Sequence, residues 1–280
     1  MMDTWYLGVH RSNWLSDPRL ADVPVFISRN VFPKGRFPRA VGRYAIDSGG
    51  FTELQYHGRW TITPEEYVAF LRRAWTECGP FDFAAPMDWM CEDIVIHGGQ
   101  AGPLRFVGTG LSVVEHQRLT VANFVELRSL APELPIIPVV QGQRPADYVR
   151  HVEMYADAGV DLGAAQLVGV GSVCRRQHMD EAVDIMQALR DVGVSNLHGF
   201  GFKIEGLRAC WFVLRTADSM SWSFDGRHAG PCQHPPYARG RQPRSEANCL
   251  SFALSWRNRH VAPPRRVPSR QLALFEAVAA

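Results

Sequence analysis

Arg43-Tyr44-Ala45-Ile46-Asp47-Ser48-Gly49-Gly50-Phe51 is the stretch whose reading decides the fold. Tyr44, Ala45 and Ile46 read as the end of a buried strand, and Asp47 stands where the apolar run stops. Ser48, Gly49 and Gly50 then let the backbone turn sharply and let a planar ligand approach main-chain amides. A carboxylate at the C-terminal tip of a strand, followed by glycines, is where α/β barrels place catalytic groups. An Asp-Ser-Gly-Gly turn serves equally well in a surface loop, so the rest of the chain must decide.

Three later segments repeat the pattern. FAAPMDW holds Asp88 just past an apolar run, PIIPVVQG ends another at Gln141 and Gly142, and TADSMSW carries Asp218 and Ser219. Short apolar runs alternate with helical segments, as in repeated βα units. Strands are expected at WYLGVH, VPVFISRN, RYAIDS, FDFAAP, IIPVVQG, GAAQLVG, LHGFGF and ADSMSW. Eight is the number that closes a (β/α)₈ TIM barrel, so the fold class is α/β. TPEEYVAFLRRAWTEC predicts a helix capped by Thr63 with Glu66 three residues on. LTVANFVELRSLA, RPADYVRHVEMYADAG and MDEAVDIMQALRDVG are further helices, the last two ending at Gly159 and Gly193. Ile96 to Gly110 is Gly-rich without periodicity and reads as a surface excursion. The barrel is expected over residues 1–260, with a linker and tail at 261–280 that continue a short Arg-rich C-terminal extension.

Taken in order, DSGGF, FAAPMDW, PIIPVVQG and TADSMSW resemble the tRNA-guanine transglycosylases (queuine tRNA-ribosyltransferases). Within that superfamily they are more similar to the DNA-guanine transglycosylases, which insert 7-deazaguanines into DNA. The likeness runs from about Tyr6 to Trp256. It implies a pentosyltransferase in which one Asp attacks the anomeric carbon and a second moves the proton, as in retaining glycoside chemistry. The match places Asp218 as nucleophile and Asp47 as general acid/base. The tRNA enzymes carry two Asp residues three apart at the nucleophile, whereas Ser221 occupies the second position here, so Asp225 remains a reserve candidate. Asp88 is assigned to the N–H edge of guanine. Gln141 and a backbone amide near Gly169, Val170 or Gly171 take its carbonyl oxygen. Gly142, Ser48 and Gly49 complete the base site. Phe200 and Phe202 are expected either to flank the base or to be core. Arg175, Arg176 and Arg227 are candidates for phosphate.

The chain has 280 residues, 46% hydrophobic and 21% charged, which suits one large domain with a substantial core. Net charge is only +2, yet Arg227 to Arg270 carries nine arginines against one acidic residue, Glu246, a balance suited to a polyanion. No apolar stretch is long enough to span a bilayer, and the start MMDTWYLG lacks a secretory pattern, so no membrane association and a cytoplasmic location are expected. Six scattered cysteines do not form a secreted disulfide framework. Within residues 226–260, Cys232, His234 and Cys249, with His260 beyond, make a zinc site one reading and reduced cysteines the other. The tRNA enzymes hold structural zinc in this region with three Cys and one His, and Glu246 stands here where one sulfur would be needed. Gln271-Leu272-Ala273-Leu274-Phe275, after a Pro/Arg linker, resembles the pentapeptide with which bacterial DNA polymerases dock on the sliding clamp; a short helix folded back on the barrel is the other reading. DNA is therefore the expected partner, with a 7-deazaguanine base as co-substrate. The alternatives are the same chemistry on tRNA and a clamp-tethered DNA-binding barrel without catalysis.

Overall fold

Alternate residues of each strand go to two different cores, and this sets the architecture. In β1 (Thr4–Val9) Trp5, Leu7 and Val9 belong to the larger apolar cluster, while Tyr6 joins a smaller one. In β2 (Val25–Ser28) Phe26 joins Tyr6 and its neighbours Val25 and Ile27 do not. β3 (Tyr44–Asp47) repeats this with Ala45 between Tyr44 and Ile46. A period of two means that the sheet is covered on both faces, by helices outside and by its own curl inside. The structure is a computed structural model and describes residues 2–173, 179–232, 234 and 244–261.

After β3 come α1 (Gly50–His57), α2 (Pro64–Glu77) and α3 (Asp93–His97). The antiparallel hairpin β4 (Gly99–Ala101) and β5 (Leu104–Phe106) follows, then α4 (Val113–Leu130). The alternation continues with β6 (Val139–Val140), α5 (Pro145–Asp157), β7 (Val168–Val170) and α6 (Met179–Asp191). It ends with β8 (Leu197–Gly199), α7 (Ile204–Cys210), β9 (Leu214–Ser219), α8 (Ser221–His228) and α9 (Leu250–His260). Seven strands form a curled parallel sheet in the order β3-β2-β1-β9-β8-β7-β6. The helices α2, α4, α5, α6 and α7 stand side by side along it.

The expected ring of eight full strands is not what the ladders draw. FDFAAP forms no strand; Ala84 makes isolated parallel bridges to Ile46 on one side and Ile136 on the other. Prolines explain the shortfall. Pro86 and Pro135 have no N–H to give, so pairing of this segment with the β6 side shrinks to a few bonds such as Ala84 N–H to Pro135 O (3.0 Å) and Ile137 N–H to Ala84 O (3.1 Å). The last strand also sits earlier than expected: β9 starts at Leu214, and Ser221 and Trp222 already belong to α8.

The helix signals hold where capping chemistry is explicit. Thr63 and Glu66 form a reciprocal capping box at α2 with Pro64 in the first turn, and Gly159 and Gly193 adopt φ of +78° and +87° after α5 and α6. The segment from Ile96 to Gly110 is not structureless. It carries the hairpin, which packs Phe106 with Leu54, Trp89 and Val95 in a satellite core. Arg175, Arg176 and Gln271 to Phe275 lie outside the described residues, as does Cys174. No helix among the described residues is long and apolar enough to cross a membrane.

Candidate active site

Because the strands are parallel, all of their C-terminal ends open on the same side of the sheet, and the expected polar residues meet there. Asp47, Asp88, Gln141, Gly171, Phe200 and Asp218 line one cavity of 1120 Å³. Asp47 ends β3 and Asp218 sits next to the end of β9, three residues before the start of α8.

The loop after β3 is held from behind. Gly49, at φ +84°, donates its N–H to Asp47 Oδ2 (3.1 Å), and α1 starts at the next residue. Arg29 donates from Nε to Ser48 O (3.1 Å) and pairs through Nη2 with Glu53 Oε1 (2.8 Å). Glu53 Oε2 also accepts from Thr61 N–H (2.9 Å) and its hydroxyl (2.6 Å), and Asn30 Nδ2 donates to Gly49 O (3.2 Å). This buried ion pair is placed by β2's exit and α1, elements whose role the sequence did not announce.

Burial in the cavity raises the Asp47 carboxyl above the usual carboxylate range, opposed by a hydrogen bond from Ser28 and reinforced by the charge of Asp218. Asp88 is pushed up to about 7, first by burial and then by the charge of Asp47. Its Oδ2 accepts a short hydrogen bond from Gln141 Nε2, and Ser48 Oγ lies 3.5 Å from Oδ1. Gln141 is fully buried, and its orientation is fixed from the other end, where Oε1 accepts from Ser172 Oγ (2.6 Å). Ser172 has φ +55°, a left-handed conformation rare outside glycine. Its hydroxyl also receives the Cys91 N–H (2.8 Å) and lies 3.1 Å from Glu92 Oε2. Gly171 leaves the space that the Gln141 amide fills.

Asp218 is buried, at 5% exposure, and Oδ1 accepts the Gly201 N–H (2.9 Å). Under it lies His198, fully buried, with Nε2 3.4 Å from Asp218 Oδ1 and Nδ1 2.7 Å from Thr216 Oγ1. That nitrogen–oxygen separation is within ion-pair range but makes no well-aligned hydrogen bond. The rings of Phe83 and Phe200 close on His198 at 4.9 and 4.6 Å.

Other expected residues fall elsewhere. Ser48 and Gly49 support the loop, Gly142 packs against Tyr148, and Gly169 lies against the Phe200 ring. Val170 and Phe202 belong to the core between sheet and helices, which settles Phe202 as core. Asp225, on α8, does line the same cavity and accepts the Trp256 indole N–H (2.7 Å), whereas Arg227 is exposed in the last turn of that helix.

Away from the carboxylates, Cys232, His234, Glu246 and Cys249 gather with their ligand atoms all within 4.8 Å of one another. His260 is not one of them; it closes α9 with its ring 4.9 Å from that of Trp256. Glu246, read from the sequence as an interruption, takes the fourth place instead. Nothing marked His198 or Ser172 in the sequence beyond a position near a glycine-flanked strand end.

Residues 1–279 match the family model described as DpdA, DeoxyPurine in DNA protein A. The chain belongs to that family. DpdA-family proteins are DNA-guanine transglycosylases, related to the tRNA enzymes and glycosyltransferase-type in their chemistry, which bears out the likeness drawn from DSGGF and its companions. No curated protein matches the chain.

The loop behind Asp47 and the titration of Asp88 give two tests. Glu53→Ala leaves Arg29 buried without its partner and should cost about 3 kcal/mol of stability, read by chemical denaturation. For Asp88, the unfolded chain releases the proton near pH 3.8 and the folded chain near pH 7. Between those values the folded state holds more protons, so the contribution of Asp88 to stability falls as pH rises from about 4 to about 7. Relative to Asp88→Asn, the wild type should lose stability across that window; parallel pH curves for the two would contradict the assignment.

Proposed function

We propose that this DpdA-family chain exchanges guanine in DNA for a 7-deazaguanine base through a covalent intermediate on Asp218. The observation that carries the proposal is the meeting of Asp218, Asp47 and the Asp88–Gln141 pair in one cavity at the C-terminal ends of parallel strands. In the first half-reaction Asp218 Oδ2, the oxygen not engaged by Gly201 N–H, attacks C1′ of the deoxyribose. The C1′–N9 bond breaks, and the departing guanine takes the proton of Asp47. The raised affinity of Asp47 for protons suits that donation. In the second half-reaction Asp47, now a carboxylate, removes the N9 proton of the incoming deazaguanine, whose nitrogen attacks C1′ and frees Asp218.

Base choice is assigned to Asp88, whose carboxylate accepts from the N1–H and exocyclic amine of guanine, and to Gln141, which Ser172 holds in one amide orientation. A titration near 7 leaves Asp88 able to ionise when those donors arrive. Phe200 offers a ring at the cavity wall. The family match supports DNA over tRNA as the substrate, and a cytoplasmic setting follows from that choice. The same reading takes the seven-stranded sheet, with Ala84 bridging its two edges, as a (β/α)₈ barrel whose eighth stave is reduced to one residue pair on each side. Gln271 to Phe275 remains proposed as a sliding-clamp tether on sequence alone.

The four-residue cluster fits zinc by its donors: two thiols, an imidazole and a carboxylate, with Cys249 Sγ 3.4 Å and Cys232 Sγ 3.9 Å from His234 Nδ1. Donors about 2.0–2.3 Å from a tetrahedral centre lie at such separations. Zinc there would tie Cys232 and His234 to the start of α9, where Cys249 is the N-cap, and would serve structure and not the reaction.

Asp218→Asn should abolish both exchange and trapping of a DNA adduct while the chain stays folded. Asp47→Asn should disable exchange by about a hundredfold or more, the ordinary worth of a positioned proton donor. Near-normal turnover of Asp218→Asn in a labelled-guanine release assay would move the nucleophile to Asp225 or end the proposal. Purified protein should carry about one equivalent of zinc by elemental analysis, lost together with stability in Cys249→Ala.

A further inference from the structure

Extruding a guanine from duplex DNA leaves a gap in the stack, and enzymes and architectural proteins fill or force such gaps with apolar side chains. The rim of the cavity carries a side chain of that kind. Phe224, 62% exposed, is the most exposed large hydrophobic residue among those described, and Met220, at 38%, is another. Both line the same cavity as Asp47 and Asp218. They are four residues apart at the start of α8, so they share one face of the helix. Met220 is only two residues beyond Asp218, so any group held by this face stands at a fixed offset from the nucleophile.

Exposing a phenylalanine forfeits most of its transfer free energy, and the fold recovers little of it. The ring contact made by Phe224 is edge-on to His228 at 5.2 Å, itself an exposed residue of α8. Cations for phosphates stand nearby: Lys203 and Arg208 line the cavity and Arg227 is exposed one turn on, in a cavity that also carries Glu92, Glu205 and Asp225 beside the three site carboxylates.

We propose that Phe224, with Met220 beside it, is a wedge that enters the DNA base stack and occupies the place vacated by the extruded guanine. The proposal rests on the cavity being the base-exchange site. The wedge matters for duplex and not for single strands, because only in the duplex must stacking be broken and replaced.

The test uses the full chain with a duplex in which 2-aminopurine flanks the target guanine, and with the matching single strand. Wild-type protein should raise 2-aminopurine fluorescence on binding the duplex. Phe224→Ala should lose most of that rise, and its duplex-to-single-strand exchange ratio should fall about tenfold. Phe224→Trp, which restores a stacking ring, should keep both. A fluorescence response and an exchange ratio that are the same in Phe224→Ala and wild type would overturn the wedge. A higher ratio in Phe224→Ala would do so as well, and would make this face a docking place for another part of the chain. If wild type exchanges no base on either substrate while the Phe224-dependent fluorescence persists, the base-exchange reading fails and the wedge stands.

Discussion

Asp47, Asp88 and Asp218 share one cavity, where burial and neighbouring charge raise the carboxyls of Asp47 and Asp88, and most of the surrounding structure serves to hold the three there. Each is met by a different donor: Gly49 N–H for Asp47, the Gln141 amide for Asp88 and Gly201 N–H for Asp218. Two of the three donors are glycine amides, fixed backbone dipoles that need no reorganisation when charge moves, a property that suits the proposed proton transfer at Asp47. Behind this layer, Arg29 is kept from the carboxylates by its pairing with Glu53 and by its bond to Ser48 O.

The same economy of polar contacts holds around Gln141. An amide whose nitrogen and oxygen are both spoken for, by Asp88 and Ser172, cannot flip. The left-handed Ser172 backbone is the strained element that makes this possible, and strain of that kind is found where geometry outweighs stability.

How much of this was legible in the sequence differs by cause. Strand-end carboxylates were readable because each leaves a local motif: an apolar run ending in Asp and glycines suits a surface loop equally well, but DSGGF, FAAPMDW, PIIPVVQG and TADSMSW in order resemble the transglycosylases, and that likeness put Asp47, Asp88, Gln141 and Asp218 together. Capped helices were readable for the same reason, since Thr63 with Glu66 leaves a local chemical signature. The eighth strand is shorter than FDFAAP suggests, because its composition is right while Pro86 at its own end and Pro135 on its neighbour remove N–H groups that would extend the pairing. α1, only eight residues long, was hidden by the turn before it. His198 went unread because LHGFGF drew attention to its phenylalanines, and its position under Asp218 depends on the pairing of β8 with β9. Glu246 looked like a defect in a cysteine pattern, and only the approach of the chain beyond α8 to the start of α9 brings it to Cys232 and His234.

The β1–β9 pairing has a further meaning for how the molecule comes into being. Thr4 to Leu7 lie against Thr216 to Ser219, so the strand that carries Asp218 finds its central neighbour more than two hundred residues back along the chain. During synthesis β1 must wait, held by β2 and β3, until nearly four-fifths of the sequence has emerged before its other edge is covered. The long-range closure is entropically slow, and the half-made sheet meanwhile presents an open edge. Asp218 therefore joins Asp47 in one late step, when a single strand slides into the gap between β1 and β8, and no shorter nascent form holds the two acids in one cavity.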